Sequence, residues 1–135
     1  WAVFRARKTS MFIYALFALP VVFAQLLGAV NMWLAVIIIG FAASGHQAWS
    51  ANIYTTVSDA FPKKVVGSVI GIGGMAGALG GLIIAKLAGL LFDYYKTAGT
   101  IETGYYIMFF ICGFAYLIAW LLMHLLLPKM KRVEL

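Results

Sequence analysis

Four long apolar stretches divide this chain, and they constrain its fold more than any other feature. They cover residues 11–30, 32–58, 65–92 and 104–127. A helix needs roughly 20 apolar residues to cross the hydrocarbon of a bilayer, and each stretch is long enough. Only 10% of the 135 residues are charged, so little polar surface is left to coat a soluble globule. The sequence therefore predicts an all-α membrane protein with four transmembrane helices.

The positions of lysine and arginine predict how these helices are oriented. Basic residues cluster before the first stretch, between the second and third, and after the fourth: Arg5, Arg7, Lys8, Lys63, Lys64, Lys129, Lys131 and Arg132. Lys96, with Lys86 near the end of the third stretch, belongs to the opposite side. By the positive-inside rule, we expect residues 1–10 to form a cytoplasmic loop and residues 128–135 a cytoplasmic tail.

Several other protein classes are disfavoured by the same sequence. The net charge of +6 is confined to short clusters between apolar runs and forms no continuous basic surface for nucleic acid. Cys112 is the one cysteine and lies inside an apolar run. There is no Ser-His-Asp set, no metal-ligand cluster and no pair of carboxylates inside a span. We therefore expect no enzyme activity, no metal, no cofactor and no nucleic-acid partner.

The third stretch is rich in glycine and predicts a closely packed helix. Small residues recur at 67, 71, 74, 78, 81 and 85, a spacing that places them in one stripe along a helix. In lipid, helices associate through small residues that let their backbones approach closely. The residues expected to pack are Gly67, Gly71, Gly73, Gly74, Gly77 and Gly81. Both a static contact and a sliding one are compatible with this pattern, whereas a dinucleotide-binding loop is not, because no strand precedes it.

The second half of the second stretch carries an unusual number of polar side chains. On a helical wheel they occupy two adjacent arcs, the first with His46, Gln47, Ser50, Tyr54 and Ser58, the second with Gly45, Trp49, Asn52 and Thr56. Polar groups at this depth must face other helices or a watery cavity. Lining of a solute cavity and hydrogen bonding between helices both remain open. The candidate substrate-binding residues are His46, Gln47, Trp49, Ser50, Asn52 and Tyr54, and Trp49 offers a stacking surface.

Single residues in and around these stretches support further expectations. Pro20 is expected to kink the first helix, and Pro62 to end the second. His46 is the one candidate for a titrating group deep in the membrane, with a neutral, hydrogen-bonded imidazole as the alternative. Asp59 has the option of pairing with a basic residue of a neighbouring loop, which the sequence does not decide.

Three runs in this region resemble the bacterial hexuronate transporters, in the anion:cation symporter branch of the major facilitator superfamily. They are His-Gln-x-Trp-Ser-Ala-Asn at 46–52, Ser-Asp-x-Phe-Pro-Lys-Lys at 58–64 and Gly-Ile-Gly-Gly-Met-Ala-Gly at 71–77. The likeness covers the whole chain. Such transporters have twelve helices, so the resemblance implies helices nine to twelve of a longer protein. The preceding helices would then be its partners, in the bacterial cytoplasmic (inner) membrane.

The resemblance also implies a function. Residues 46–58 would line the central cavity, and the glycine-rich helix would pack between the two halves of the transporter. The activity would be proton-driven uptake of glucuronate or galacturonate by alternating access, with the hexuronate and H⁺ as small partners. The groups that bind the carboxylate and the proton are expected mainly in the first half of such a transporter. Another organic anion, such as an aldonate, and a non-transporting four-span scaffold are the alternatives.

Overall fold

The structure, a computed structural model, describes residues 2–128, and every element in that range is helical. Four helical stretches are long and apolar enough to cross a membrane. The elements are α1 (Ala2–Ala18), a 3-10 segment (Leu19–Phe23), α2 (Ala24–Val30), α3 (Met32–Ala60), α4 (Lys63–Thr97) and α5 (Ile101–Leu126). The predicted all-α fold with four potential membrane spans is confirmed.

Two predicted boundaries differ from the structure by five residues or more. The expected loop at the start of the chain is wrong for residues 2–10, which form the first turns of α1. This segment has no glycine or proline, and its alanine, arginine and lysine residues are good helix formers. α4 continues to Thr97, beyond the predicted end at residue 92. Most of the predicted cytoplasmic tail, residues 129–135, lies outside the described residues, as does Trp1.

Prolines interrupt the helices where the sequence predicted. Pro20 lies in the 3-10 segment that separates α1 from α2. Proline has no backbone N–H, and its ring collides with the carbonyl four residues earlier, so regular α-helix is disturbed here. Pro62 follows the end of α3 and directly precedes α4. Both predictions are confirmed.

The other connections are short and capped. Asn31 separates α2 from α3, and its side chain accepts a hydrogen bond from the backbone N–H of Trp33 at 2.9 Å. α4 ends at Thr97 and is followed by Gly99, which has a φ of +74°. The backbone N–H of Thr100 bonds to the carbonyl of Tyr95, the pattern of a Schellman motif. Such short connections make consecutive spans antiparallel.

The core of the bundle lies between α1, α3 and α5. Met11 and Ala15 of α1 are fully buried, and Trp49 of α3 is 5% exposed. Tyr116, Leu117, Trp120 and Met123 of α5 pack against these three residues. α4 contacts α5 and, less extensively, α3, and none of its residues is buried by the rest of residues 2–128. α4 therefore forms an edge of the described bundle.

One end of the bundle gathers most of the described basic residues. Arg7 near the start of α1 pairs with Asp59 near the end of α3. Lys8 Nζ donates a hydrogen bond to the carbonyl of Leu127, just after α5, at 2.5 Å. These contacts put both ends of the described chain on the same side of the bundle. We call it the basic end, defined by Arg5, Arg7, Lys8, Lys63 and Lys64. Which side of a membrane it faces remains a prediction.

Candidate functional site

A groove of about 290 Å³ lies between α3 and α4. We call it the α3–α4 groove. The α3 wall carries the hydroxyl groups of Ser50 and Tyr54, and the α4 wall is built largely of glycine. Its lining residues are Ser50, Ile53, Tyr54, Val57, Val69, Ile70, Gly73, Gly74 and Gly77. The groove thus brings together the polar half of α3 and the glycine stripe of α4.

The α4 wall of the groove leaves room because three of its five lining residues are glycine. A Cβ atom added at Gly73, Gly74 or Gly77 would have nothing within 4 Å. Ser50 is half-buried and Tyr54 is 50% exposed. Neither hydroxyl makes a hydrogen bond within residues 2–128. Both are therefore available to a solute in the groove, as donor and as acceptor.

His46 and Trp49 lie on the side of α3 that faces α5. His46 Nδ1 forms a hydrogen bond with the hydroxyl of Tyr116. The ring of Trp49 meets that of Tyr116 edge-on, with centroids 5.5 Å apart, and packs against the buried core. This position gives Trp49 a packing role in the described bundle, and its stacking on a ligand stays a prediction. The hydrogen-bonded imidazole is one of the two alternatives that the sequence left open for His46.

The amides of Gln47 and Asn52 do not line the groove either. Asn52 is half-buried, and its Nδ2 donates to the carbonyl of Ala48 in the preceding turn at 3.0 Å. Gln47 is exposed. Of the six candidate substrate-binding residues, the structure thus places Ser50 and Tyr54 together in the groove and directs the others elsewhere.

The glycine stripe of α4 has no tight neighbour within residues 2–128. Its six predicted packing glycines are all exposed, and none has an atom within 4 Å of its added Cβ position. The expected partner of this face is therefore not among the described helices. That the stripe packs against another helix stays a prediction.

Other glycines make the close helix contacts of the described bundle. A Cβ at Gly45 would lie 3.0 Å from the Cβ of Phe17, so α1 and α3 approach closely there. A Cβ at Gly113 would lie 2.6 Å from Val22 Cγ2, where α5 crosses the 3-10 segment. Neither glycine belongs to the stripe that the sequence predicted to pack. An isolated glycine in an apolar helix carries no repeat that would single it out.

A charged network ties α1 to α3 at the basic end. Arg7 Nε donates to Asp59 Oδ2 at 2.6 Å, and Arg7 Nη1 donates to Thr55 Oγ1 at 2.7 Å. The sequence left the pairing of Asp59 open and placed its partner in a loop. The structure places that partner on a helix, one turn before the apolar part of α1 begins.

Comparison with protein-family models, with curated proteins and with solved structures gives no match to this chain. The fold itself defines a helical protein with four potential membrane spans.

Proposed function

We propose that this chain is the last four-helix segment of a secondary transporter of the major facilitator type. The parent protein would import hexuronates together with protons by alternating access. The α3–α4 groove would form part of the wall along which the solute passes. Two independent features support this proposal: the three sequence runs that resemble hexuronate transporters, and the arrangement of the groove.

The observation that carries the proposal is the pairing of two unpartnered hydroxyls with a glycine wall. Sugar acids present several hydroxyl groups, each both donor and acceptor, and the hydroxyls of Ser50 and Tyr54 match this chemistry. The volume of about 290 Å³ suits one small solute. A wall built largely of glycine also allows a neighbouring element to approach and withdraw with few steric barriers.

The proposal assigns the charge chemistry to the preceding helices. No basic or acidic side chain is among the residues that line the groove. A hexuronate carboxylate needs a cationic partner inside the membrane, where an unpaired charge is costly. The preceding helices of the proposed transporter would supply that partner and the proton-binding group. They would also cover the exposed glycine stripe of α4.

The test is uptake of labelled glucuronate by vesicles that contain the whole transporter. Accumulation that depends on an imposed inward proton gradient is the expected result. Gluconate, an aldonate, is offered in parallel, and uptake of gluconate alone would move the substrate to that class. Absence of uptake of both, in a protein shown to be folded and inserted, would favour the scaffold alternative.

A further inference from the structure

The imidazole of His46 has one nitrogen bonded to α5 and the other without a partner. Nδ1 shares a hydrogen bond with the hydroxyl of Tyr116. Nε2 makes no hydrogen bond within residues 2–128, and the side chain is exposed. His46 lies in the middle of α3, one of the four potential membrane spans. A polar group at such a position in a span needs a partner.

His46 extends the polar wall of the α3–α4 groove by one helical turn. On α3, the lining of the groove begins at Ser50. Positions 46, 50, 53, 54 and 57 follow the spacing of one side of a helix, and His46 is about 6 Å further along the axis than Ser50. His46 therefore stands at the boundary between the side of α3 that lines the groove and the side that faces α5.

Tyr116 is a firm support for this imidazole. Its ring is half-buried and packs against the core formed by Met11, Ala15 and Trp49. It meets the ring of Trp49 edge-on, with centroids 5.5 Å apart, and that of His46 at 5.9 Å. These contacts fix the phenol, and the hydrogen bond from the phenol in turn fixes the orientation of the imidazole.

The hydrogen bond with Tyr116 also selects one tautomer of His46. A phenol O–H is a stronger donor than the N–H of a neutral imidazole, and a bare imidazole nitrogen is a stronger acceptor than a phenol oxygen. The Tyr116 hydroxyl therefore donates to Nδ1, which places the proton of the neutral ring on Nε2. The nitrogen without a partner is then an N–H donor.

We propose that Tyr116 is a positioning residue for the solute path: its hydroxyl holds His46 in the tautomer whose Nε2–H donates a hydrogen bond to the sugar acid. This inference rests on the proposed transport function. A sugar acid bears an oxygen atom on every carbon, so it presents acceptors along its whole length. His46, Ser50 and Tyr54 follow one another at intervals of one turn and form a row of three polar groups along α3. α5 thus contributes to the site without touching the solute.

The tautomer is tested on the purified four-helix chain in detergent, without transport. ¹⁵N NMR distinguishes protonated from bare ring nitrogens of histidine, and a pH of about 9 keeps histidine neutral. The chain has two histidines, so His124→Gln assigns the remaining signal to His46. We expect the proton on Nε2 in the chain with Tyr116 and a mixture of both tautomers in Tyr116→Phe. A proton on Nδ1 while Tyr116 is present would overturn the proposal.

Use of the donor is tested by uptake of labelled glucuronate in vesicles that contain the whole transporter. His46→Ala should raise the KM about fivefold, the effect of one hydrogen bond, with an unchanged maximum rate. Tyr116→Phe keeps the ring that packs on Trp49 and should raise the KM between about two- and fivefold, because the freed imidazole still samples the donor tautomer. The double variant His46→Ala/Tyr116→Phe should match His46→Ala. Tyr106→Phe, at an exposed position, is the matched control and should keep the KM of the wild type.

Two uptake results would overturn the positioning role of Tyr116. The first is a wild-type KM in Tyr116→Phe. The second is a double variant whose KM rises by the product of the two single effects, because Tyr116 would then act through packing and not through His46. If Tyr116→Phe does not insert into the membrane, His46→Gln replaces it. Its amide keeps an N–H donor near the place of Nε2, so the wild-type KM is expected, and the KM of His46→Ala would contradict the donor role.

Failure of the proposed function gives a different result from failure of this inference. A folded and inserted wild-type transporter that takes up neither glucuronate nor gluconate would overturn the proposed function, and the contact with the solute with it. The NMR measurement still decides whether Tyr116 sets the tautomer of His46, because it requires no transport.

Discussion

Arg7 Nε lies 2.6 Å from Asp59 Oδ2, so an ion pair joins the first turns of α1 to the last turn of α3. The same guanidinium donates to Thr55 Oγ1. The two residues are 52 positions apart in the chain, and the pair closes the basic end of the α1–α3 contact.

Removal of this ion pair should have a small effect on stability. The side chains of Arg7 and Asp59 are 25% and 44% exposed, and pairs of this exposure contribute about 0.2–1 kcal/mol. We expect Asp59→Asn to lower the free energy of unfolding by that amount, measured by thermal unfolding in detergent at low salt. Asp93→Asn removes an equal charge without breaking an ion pair within residues 2–128 and should have no effect. Equal destabilisation by both variants would contradict the role of the pair.

A methyl group at Gly113 should destabilise the bundle. The added Cβ would lie 2.6 Å from Val22 Cγ2, so either the stiff, β-branched Val22 side chain or the contact between α5 and the 3-10 segment must shift. Overpacking of this kind costs about 1–3 kcal/mol. We expect Gly113→Ala to lower the midpoint of thermal unfolding of the purified chain. Gly71→Ala serves as the control because its Cβ meets nothing within 4 Å, and a midpoint lowered equally by both would argue against this contact.

A substitution in the glycine stripe of α4 should have different effects on the stability of this chain and on uptake by the complete transporter. Gly77 has open space around it in the described bundle, so Gly77→Leu should leave the four-helix chain as stable as the wild type. If other helices pack on this face, as we propose, the same change should abolish uptake by the whole protein. Uptake at the wild-type rate by a Gly77→Leu transporter would rule out close packing at this position.

The hydrogen bond between His46 and Tyr116 should contribute to the contact between α3 and α5. Tyr116→Phe removes the hydroxyl and leaves the imidazole without this partner, at a cost of about 1 kcal/mol. Thermal unfolding of the purified chain measures the loss. Tyr106→Phe is the matched control, since Tyr106 is exposed and makes no hydrogen bond within residues 2–128. Loss of the same size in both variants would show that the hydrogen bond has no net effect.

The local chemistry of the chain predicted the helices and their breaks well. The lengths of the apolar stretches predicted the four spans. The restricted backbones of Pro20 and Pro62 predicted two of the interruptions. The loop predicted for residues 2–10 is wrong because a cluster of basic residues does not by itself mark a loop. Arginine and lysine are also good helix formers, and Arg7 finds its partner only when α1 and α3 are both in place.

The candidate site was harder to predict because a helical wheel gives the direction of a side chain but not its neighbour. His46 and Ser50 share one arc of the wheel, yet Tyr116 of α5 meets the first and the glycines of α4 face the second. The sequence likewise marked the regular stripe on α4, while the close contacts of the described helices fall at Gly45 and Gly113. Tertiary placement, which no local pattern encodes, decided each case.

Under the proposed function, Ser50 and Tyr54 belong to the solute path, and their hydroxyl groups should contribute to the affinity for the sugar acid. The double variant Ser50→Ala/Tyr54→Phe is placed in the whole transporter, and the KM for glucuronate uptake is measured in vesicles. Loss of two hydrogen bonds of about 1 kcal/mol each predicts a KM raised by about 30-fold, with unchanged amounts of protein in the membrane.

The matched control is Ser44→Ala, because Ser44 Oγ bonds to the carbonyl of Gly40 within α3 and does not line the groove. Its KM should equal that of the wild type. A KM that is unchanged in the double variant, in protein that is folded and inserted, would contradict the assignment of the α3–α4 groove to the solute path.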